Sequence, residues 1–200
     1  MKSTLVSLFL FVSSLVAAPP ARPDHCVTII CKDTEGATSI GSGTVVKRFG
    51  KTVTILTCRH VIEDAEKIYL RGDDRLIEGK NPKLSDTDDL GTFEIENSDL
   101  PATKISKAPV IPGDTVQHWG NTSGYSKGEV ADYLNLSYPD MAKHQALKSE
   151  YLSIAGDSGA GIFNDAGELV GVNFATIGDL GDRAGLAVPL KQVKAFLASK

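Results

Sequence analysis

The sequence predicts an all-β chain of antiparallel strands, arranged as two β subdomains of similar size with a helix only at the C-terminal end. Three observations carry this expectation. Short runs rich in β-branched residues recur at 27–30, 43–46, 52–57, 67–70, 91–95, 115–119, 168–174 and 185–188, as half-buried strands do. Gly, Asp, Asn and Pro punctuate these runs, in keeping with 19 glycines and 9 prolines among 200 residues and only 6% aromatic side chains. No amphipathic helix falls between them, so the strands join through turns as in a sandwich or barrel and not through βαβ crossovers.

The first element stands outside that fold. Met1-Lys2 makes a short positive start, residues 5–16 are apolar apart from serines, and Val16-Ala17-Ala18 offers the small side chains that precede signal cleavage. The apolar stretch is shorter than the roughly 20 residues that span a bilayer. Residues 1–18 therefore read as a signal peptide, with an uncleaved N-terminal anchor as the alternative. No other stretch is long enough to cross, so the expectation is a secreted or periplasmic protein without stable membrane insertion after cleavage, its folded domain covering 19–200.

The strand that follows, Cys26-Val27-Thr28-Ile29-Ile30-Cys31, carries two of the three cysteines, the third being Cys58. An odd offset of five sends Cys26 and Cys31 to opposite faces of a regular strand. Buried free thiols or one bridge to Cys58 remain open, since an exported chain permits disulfides. Thiols plus His60 match no common zinc spacing, so no metal and no cofactor is expected.

Between the strand-rich halves, residues 100–112 with their prolines form a connection, and two β subdomains joined there would meet at a cleft. At the end, Pro189 suits a first helical turn, and Leu190, Val193, Phe196 and Leu197 fall on one helical face that docks on the core. The net charge of -4, from 21 Lys+Arg against 25 Asp+Glu, leaves no basic field for phosphate backbones, and nucleic acid is not an expected partner.

Three segments carry chemistry, in the order His, Asp, Ser. The strongest is Ile154-Ala155-Gly156-Asp157-Ser158-Gly159-Ala160-Gly161, followed by a hairpin from Ile162 to Gly171. A serine hydroxyl is a weak nucleophile and needs a base for its proton and N–H groups for the oxyanion formed on attack. Glycines on either side let the backbone turn its amides outward. The second segment, Thr54-Ile55-Leu56-Thr57-Cys58-Arg59-His60-Val61-Ile62, is an apolar strand that ends in an imidazole. The third, Asp86-Thr87-Asp88-Asp89-Leu90-Gly91, is an acidic turn whose last carboxylate enters a strand, where Asp89 can orient His60.

These segments resemble the trypsin-like serine peptidases of the chymotrypsin fold, most closely the compact bacterial HtrA (Deg) type of protease domain without a PDZ module. Ser42-Gly43-Thr44-Val45-Val46 looks like that family's strand before the histidine, and Asp89-Leu90-Gly91 is similar to its Asp-Leu-Ala. Pro112-Gly113-Asp114 and Trp119-Gly120-Asn121 look like its mid-chain markers, and Gly185-Leu186-Ala187-Val188-Pro189-Leu190 like its last strand and helix start. Separations of 29 residues from His60 to Asp89 and 69 from Asp89 to Ser158 resemble the bacterial type more than the longer-looped digestive enzymes.

The resemblance implies two six-stranded antiparallel barrels, at about 25–100 and 112–188, with a short C-terminal helix. It implies a secreted endopeptidase acting on polypeptides through an acyl-enzyme, with His60, Asp89 and Ser158 as the triad and the N–H groups of Gly156 and Ser158 as the oxyanion hole. Asn173, Phe174 and Ala175 would pair with extended substrate, and Leu152, six before the serine, would floor the first specificity pocket. The chain departs from trypsin-type zymogens in lacking an Ile-Val-Gly-Gly terminus to pair with Asp157, which therefore needs another partner or stays solvated. Cys58-Arg59 replaces the usual small residues before the histidine. An α/β-hydrolase esterase would need Gly-x-Ser-x-Gly with a histidine after the serine, and here His25, His60, His118 and His144 all precede Ser158. A catalytically silent binding module on the same fold is the remaining alternative.

Overall fold

The structure, a computed structural model, describes residues 18–138, 141–178 and 183–199. The expected signal peptide, but for residue 18, lies outside the described residues. Among these residues no helix is long and apolar enough to cross a membrane.

The first half contains β1 (Cys26–Lys32), β2 (Thr38–Phe49), β3 (Thr52–Thr57), a one-turn helix α1 (Arg59–Ile62), β4 (Lys67–Arg71), β5 (Leu76–Glu78), β6 (Lys80–Leu84) and β7 (Gly91–Ile95). Strand alternation fills its core: Val27, Ile29 and Cys31 point from β1 into a cluster with Val45, Val53, Ile55, Leu70, Phe93 and Ile95. Cys26, on the opposite face, packs into a different cluster. The β2–β3 hairpin turns through Gly50 at φ +60, a value that a first hairpin position tolerates best in glycine.

Seven strand elements form this sheet where six are expected, in the antiparallel order β5-β4-β1-β2-β3-β7-β6. The two outermost elements are consecutive in the chain and separated only by Gly79. Gly79 N continues the β4 ladder by donating to Ile68 O at 2.8 Å, and a Cβ at this position would stand 2.5 Å from the Phe93 ring. β5, Gly79 and β6 thus run as one strand bent at a glycine corner, and the sheet curls round to meet itself through the chain.

The second half is a closed six-stranded barrel in the order β10-β13-β12-β11-β8-β9. Its strands are β8 (Thr115–Gly120), β9 (Gly124–Tyr138), β10 (Met141–Ser149), β11 (Gly161–Asn164), β12 (Leu169–Ile177) and β13 (Ala184–Pro189). α2 (Leu190–Ala198) follows, burying Leu190 and Val193 with Phe196 and Leu197 packed beside them. Pro189 is the residue before the helix and not its first turn.

Four of these strands, β5, β6, β9 and β10, were not expected from the sequence. β6 is exposed along its whole length, and Val130 is the one buried residue of β9 up to position 136. Such strands carry no apolar run; they are held by cross-strand ladders to the strands next to them in the chain.

The two halves share a core. Cys26, Val46, Leu56, Cys58 and Leu90 from the first pack against Trp119, Phe163, Leu169, Val172 and Val188 from the second. Burying this apolar surface, at roughly 25 cal/mol per Å², fixes the halves against each other. The connection is stitched to both: Thr103 N donates to Val45 O, and Ser106 N to Leu169 O.

Candidate active site

His60 and Asp89 are brought together by one register. Thr57, the last residue of β3, stands opposite Gly91, the first of β7. The chain leaves β3 into α1, placing His60 on its second residue and not at the strand end itself. His60 N donates to Asp89 Oδ1 at 3.0 Å, and the ring Nδ1 lies 2.6 Å from Asp89 Oδ2. A carboxylate only accepts, so the proton sits on Nδ1 and the Nε2 lone pair of the neutral ring is left free. The Asp89 hydrogen bond holds the His60 pKa above its ordinary value, with burial opposing and the Asp89 and Glu63 charges adding. The imidazole keeps 45% of its side-chain surface open while the carboxylate keeps 14%. Arg59 ties the acidic turn down, donating to Ser85 O at 2.9 Å.

Ser158 lies in the second of two tight turns joined at Asp157. In the first, Asp157 N donates to Ile154 O at 3.0 Å and Gly156 has φ +95; in the second, Ala160 N donates to Asp157 O at 3.0 Å and Gly159 has φ +89. Positive φ favours glycine, and space demands it as well. A Cβ on Gly156 would clash with Thr122 Oγ1, and one on Gly159 with Ser42 O and Thr57 Oγ1. Among the described residues, neither Gly156 N–H nor Ser158 N–H donates to a protein group. The Ser158 hydroxyl donates toward Phe174 O at 3.5 Å.

Asp157 is fully buried. Its Oδ1 accepts from Thr122 N at 2.9 Å and Ser123 N at 3.1 Å, and its Oδ2 from Ile154 N at 3.0 Å. The β8–β9 turn thus supplies the partner that the sequence leaves open, and three backbone dipoles stabilise the carboxylate without a new chain terminus.

The residues expected along the substrate path divide. Asn173 is buried and its polar atoms are engaged inside the protein: Nδ2 donates to Ser153 Oγ and Asp157 O, Oδ1 accepts from Tyr151 OH, and its backbone pairs with Gly159 and Ala160. Phe174 lies at a register shift, and Ala175 pairs with Leu186 on β13. On their other side, among the described residues, no strand pairs with residues 174–177. Leu152 is 50% exposed; its carbonyl accepts from His118 Nε2 at 2.7 Å. Tyr151 is the side chain that turns inward, 1% exposed and filling the space that a Cβ on Gly185 would need.

All three cysteines are free and buried. Burial pushes Cys26 up to about 12 and Cys31 to about 11. Burial and the nearby Asp89 charge also push Cys58 well above the ordinary thiol value, and it donates to Asn173 O at 3.1 Å. Donor atoms of Cys58, His60 and Asp89 lie within 4.8 Å of one another. The set fits a metal poorly, because the thiol is held protonated and Nδ1 is already bonded to the carboxylate. Sequence reasoning gave no role to Ser42, Tyr151, Thr122 and Ser123, which act through their hydroxyls or backbone N–H groups; the Ser42–Val46 and Gly120-Asn121 segments were the nearby signals.

Residues 41–172 match the family description of a trypsin-like peptidase domain. A probable periplasmic serine endoprotease DegP-like of Pseudomonas fulva (strain 12-X) is 29% identical over 161 residues, covering 77% of this chain and 33% of the relative. Its counterpart from Pseudomonas savastanoi pv. phaseolicola is 31% identical over 162 residues, covering 76% and 33%. The chain therefore spans about a third of the length of these curated relatives. Among solved structures, the active form of the Rv3671c protease from M. tuberculosis superposes with a TM-score of 0.76 at 17% identity, covering 96% of this chain and 93% of that one. The HtrA-type protease AlgWS227A with tripeptide gives 0.74 at 20% identity, covering 87% and 59%. The fold is that of these chymotrypsin-like proteases, and the chain belongs to the trypsin-like peptidase domain family.

Proposed function

We propose that the chain is a serine endopeptidase of the secreted or periplasmic space, with Ser158 as nucleophile, His60 as general base and then acid, and Asp89 as the group that orients His60. The 2.6 Å contact between His60 Nδ1 and Asp89 Oδ2 carries this reading, because it leaves Nε2 as the basic atom of the exposed imidazole. The Ser158 hydroxyl rotates from Phe174 O toward Nε2, gives up its proton there, and its oxygen attacks the peptide carbonyl carbon. The N–H groups of Gly156 and Ser158 receive the oxyanion. Collapse returns the proton from Nε2 to the leaving amine, and a water then repeats the sequence on the acyl-enzyme.

Polypeptide substrates fit the unpaired edge at Phe174 and Ala175 by strand addition. Asn173 supports that edge from beneath, with the buried Tyr151 hydroxyl donating to its Oδ1, and the half-exposed Leu152 is the side chain offered to the first substrate residue. The periplasmic names of the relatives and the apolar start of the chain support export.

The bond from Ser158 to Phe174 O favours the second reading, a silent binding module. A fluorophosphonate probe separates the two: the folded protein is labelled and Ser158→Ala is not. A folded protein that takes no label overturns the peptidase reading.

A further inference from the structure

Ser42 lies in β2 of the first half and is fully buried, yet its polar atoms reach into the loop of the second half. Its amide N–H donates to Ser158 O at 2.8 Å. Its hydroxyl donates to Gly156 O at 2.9 Å and accepts from Asn121 N at 3.0 Å. Its own carbonyl accepts from Thr57 Oγ1 at 2.7 Å. One residue therefore holds the carbonyls of Gly156 and Ser158, the two residues proposed to receive the oxyanion.

We propose that Ser42 is a positioning residue for the oxyanion hole, an inference that rests on the peptidase reading. The peptide joining Gly156 to Asp157 is restrained at both ends, its N–H by Ile154 O and its C=O by the Ser42 hydroxyl. Restraining that peptide sets the rotation of Gly156, at φ +95, and with it the direction of the Gly156 N–H. Because the hydroxyl also takes the Asn121 N–H, it ties β2, the oxyanion turn and the β8–β9 turn to a single atom. Removing it frees the turn without touching His60, Asp89 or the Ser158 side chain. The loss belongs to the transition state, where the oxyanion exists, and not to substrate binding along the strand edge.

The experiment compares wild type, Ser42→Ala and Ser42→Cys for fluorophosphonate inactivation rate and for kcat and KM on fluorescein-labelled casein, well below each variant's Tm. Ser42→Ala is expected to lower both the inactivation rate and kcat by about tenfold or more with KM unchanged. Ser42→Cys, which keeps the volume and a weak donor, falls between and carries the test should the alanine variant not fold. Labelled wild type with variants that match it, or with KM rising in place of the fall in kcat, overturns the role of Ser42 alone. A folded wild type that takes no label overturns the peptidase reading and this proposal together.

Discussion

Thr57 stands opposite Gly91 in the β3–β7 ladder, and His60 follows the one by three residues while Asp89 precedes the other by two. A single strand register therefore sets the imidazole against the carboxylate. A slip by one residue would turn the apolar faces of β3 and β7 outward as well, so core packing and site geometry are specified by the same pairing.

Asp89→Asn is expected to keep the fold and lose most activity. An amide in place of the carboxylate presents an N–H where Nδ1–H needs an acceptor, favouring the wrong tautomer; kcat falls by about 10³- to 10⁴-fold. Steady-state kinetics reads the loss, and an NMR titration shows the His60 pKa moving down as the Asp89 bond disappears.

In the proposed mechanism the base is neutral His60, whose pKa is raised chiefly by the Asp89 hydrogen bond. The acidic limb of kcat/KM should therefore lie above the ordinary value of about 6.5. The raised pKa also links to stability: the protonated pair favours the fold below about 6.5, and this contribution fades as pH rises through the higher folded value. A limb centred below 6.5 would contradict the arrangement.

His118 responds in the opposite sense. Its ring is buried, Nε2–H donates to Leu152 O, and Nδ1 has no partner among the described residues. Burial lowers its pKa, against smaller raising contributions from the Leu152 carbonyl and Asp157. The unfolded chain takes up the proton first, so stability falls as pH drops below about 6.5 toward the lower folded value. Thermal melts of wild type across that window should lose Tm, and His118→Gln should lose less; equal pH slopes would refute the assignment.

Asp157→Asn replaces an acceptor of three backbone N–H bonds by a group that can accept with only one atom. A loss of roughly 2–3 kcal/mol is expected, read as a lower Tm and a slower fluorophosphonate reaction. Unchanged melting would mean that the β8–β9 turn holds the loop without this carboxylate.

Gly159→Ala meets both a positive φ of +89 and a Cβ clash with Ser42 O and Thr57 Oγ1. The strained backbone alone costs about 1–3 kcal/mol, so a fall in Tm with loss of labelling is the expected outcome. Gly167→Ala, at φ +72 but with open space around it, is the comparison and should cost less.

The apolar strands were legible because alternation and β-branching mark a buried face directly: β3 and β7 have the predicted bounds. The polar strands β6 and β9 were not, since their stability comes from ladders to β7, β8 and β10 and leaves no apolar signature. Of the candidate site, His60, Asp89 and Ser158 stood out through the glycines around Ser158 and the order His, Asp, Ser of the three segments. Leu152 and Asn173 were harder. The sequence placed both on the substrate path without showing which side chain is buried: Asn173 is, and Leu152 is half exposed.

By itself the sequence determined the all-β class, the opposed faces of Cys26 and Cys31, the glycines around Ser158 and the order of the three chemical segments. These follow from local periodicity and from backbone conformations that only glycine accepts readily. Only the tertiary structure decided that Asp157 is held by Thr122 and Ser123, that Tyr151 and not Leu152 turns inward, and that Ser42 reaches across the halves to Gly156. Those partners are 22 to 114 residues apart or differ in burial alone, and such contacts are set by how the second barrel closes and how the two halves meet rather than by any pattern along the chain.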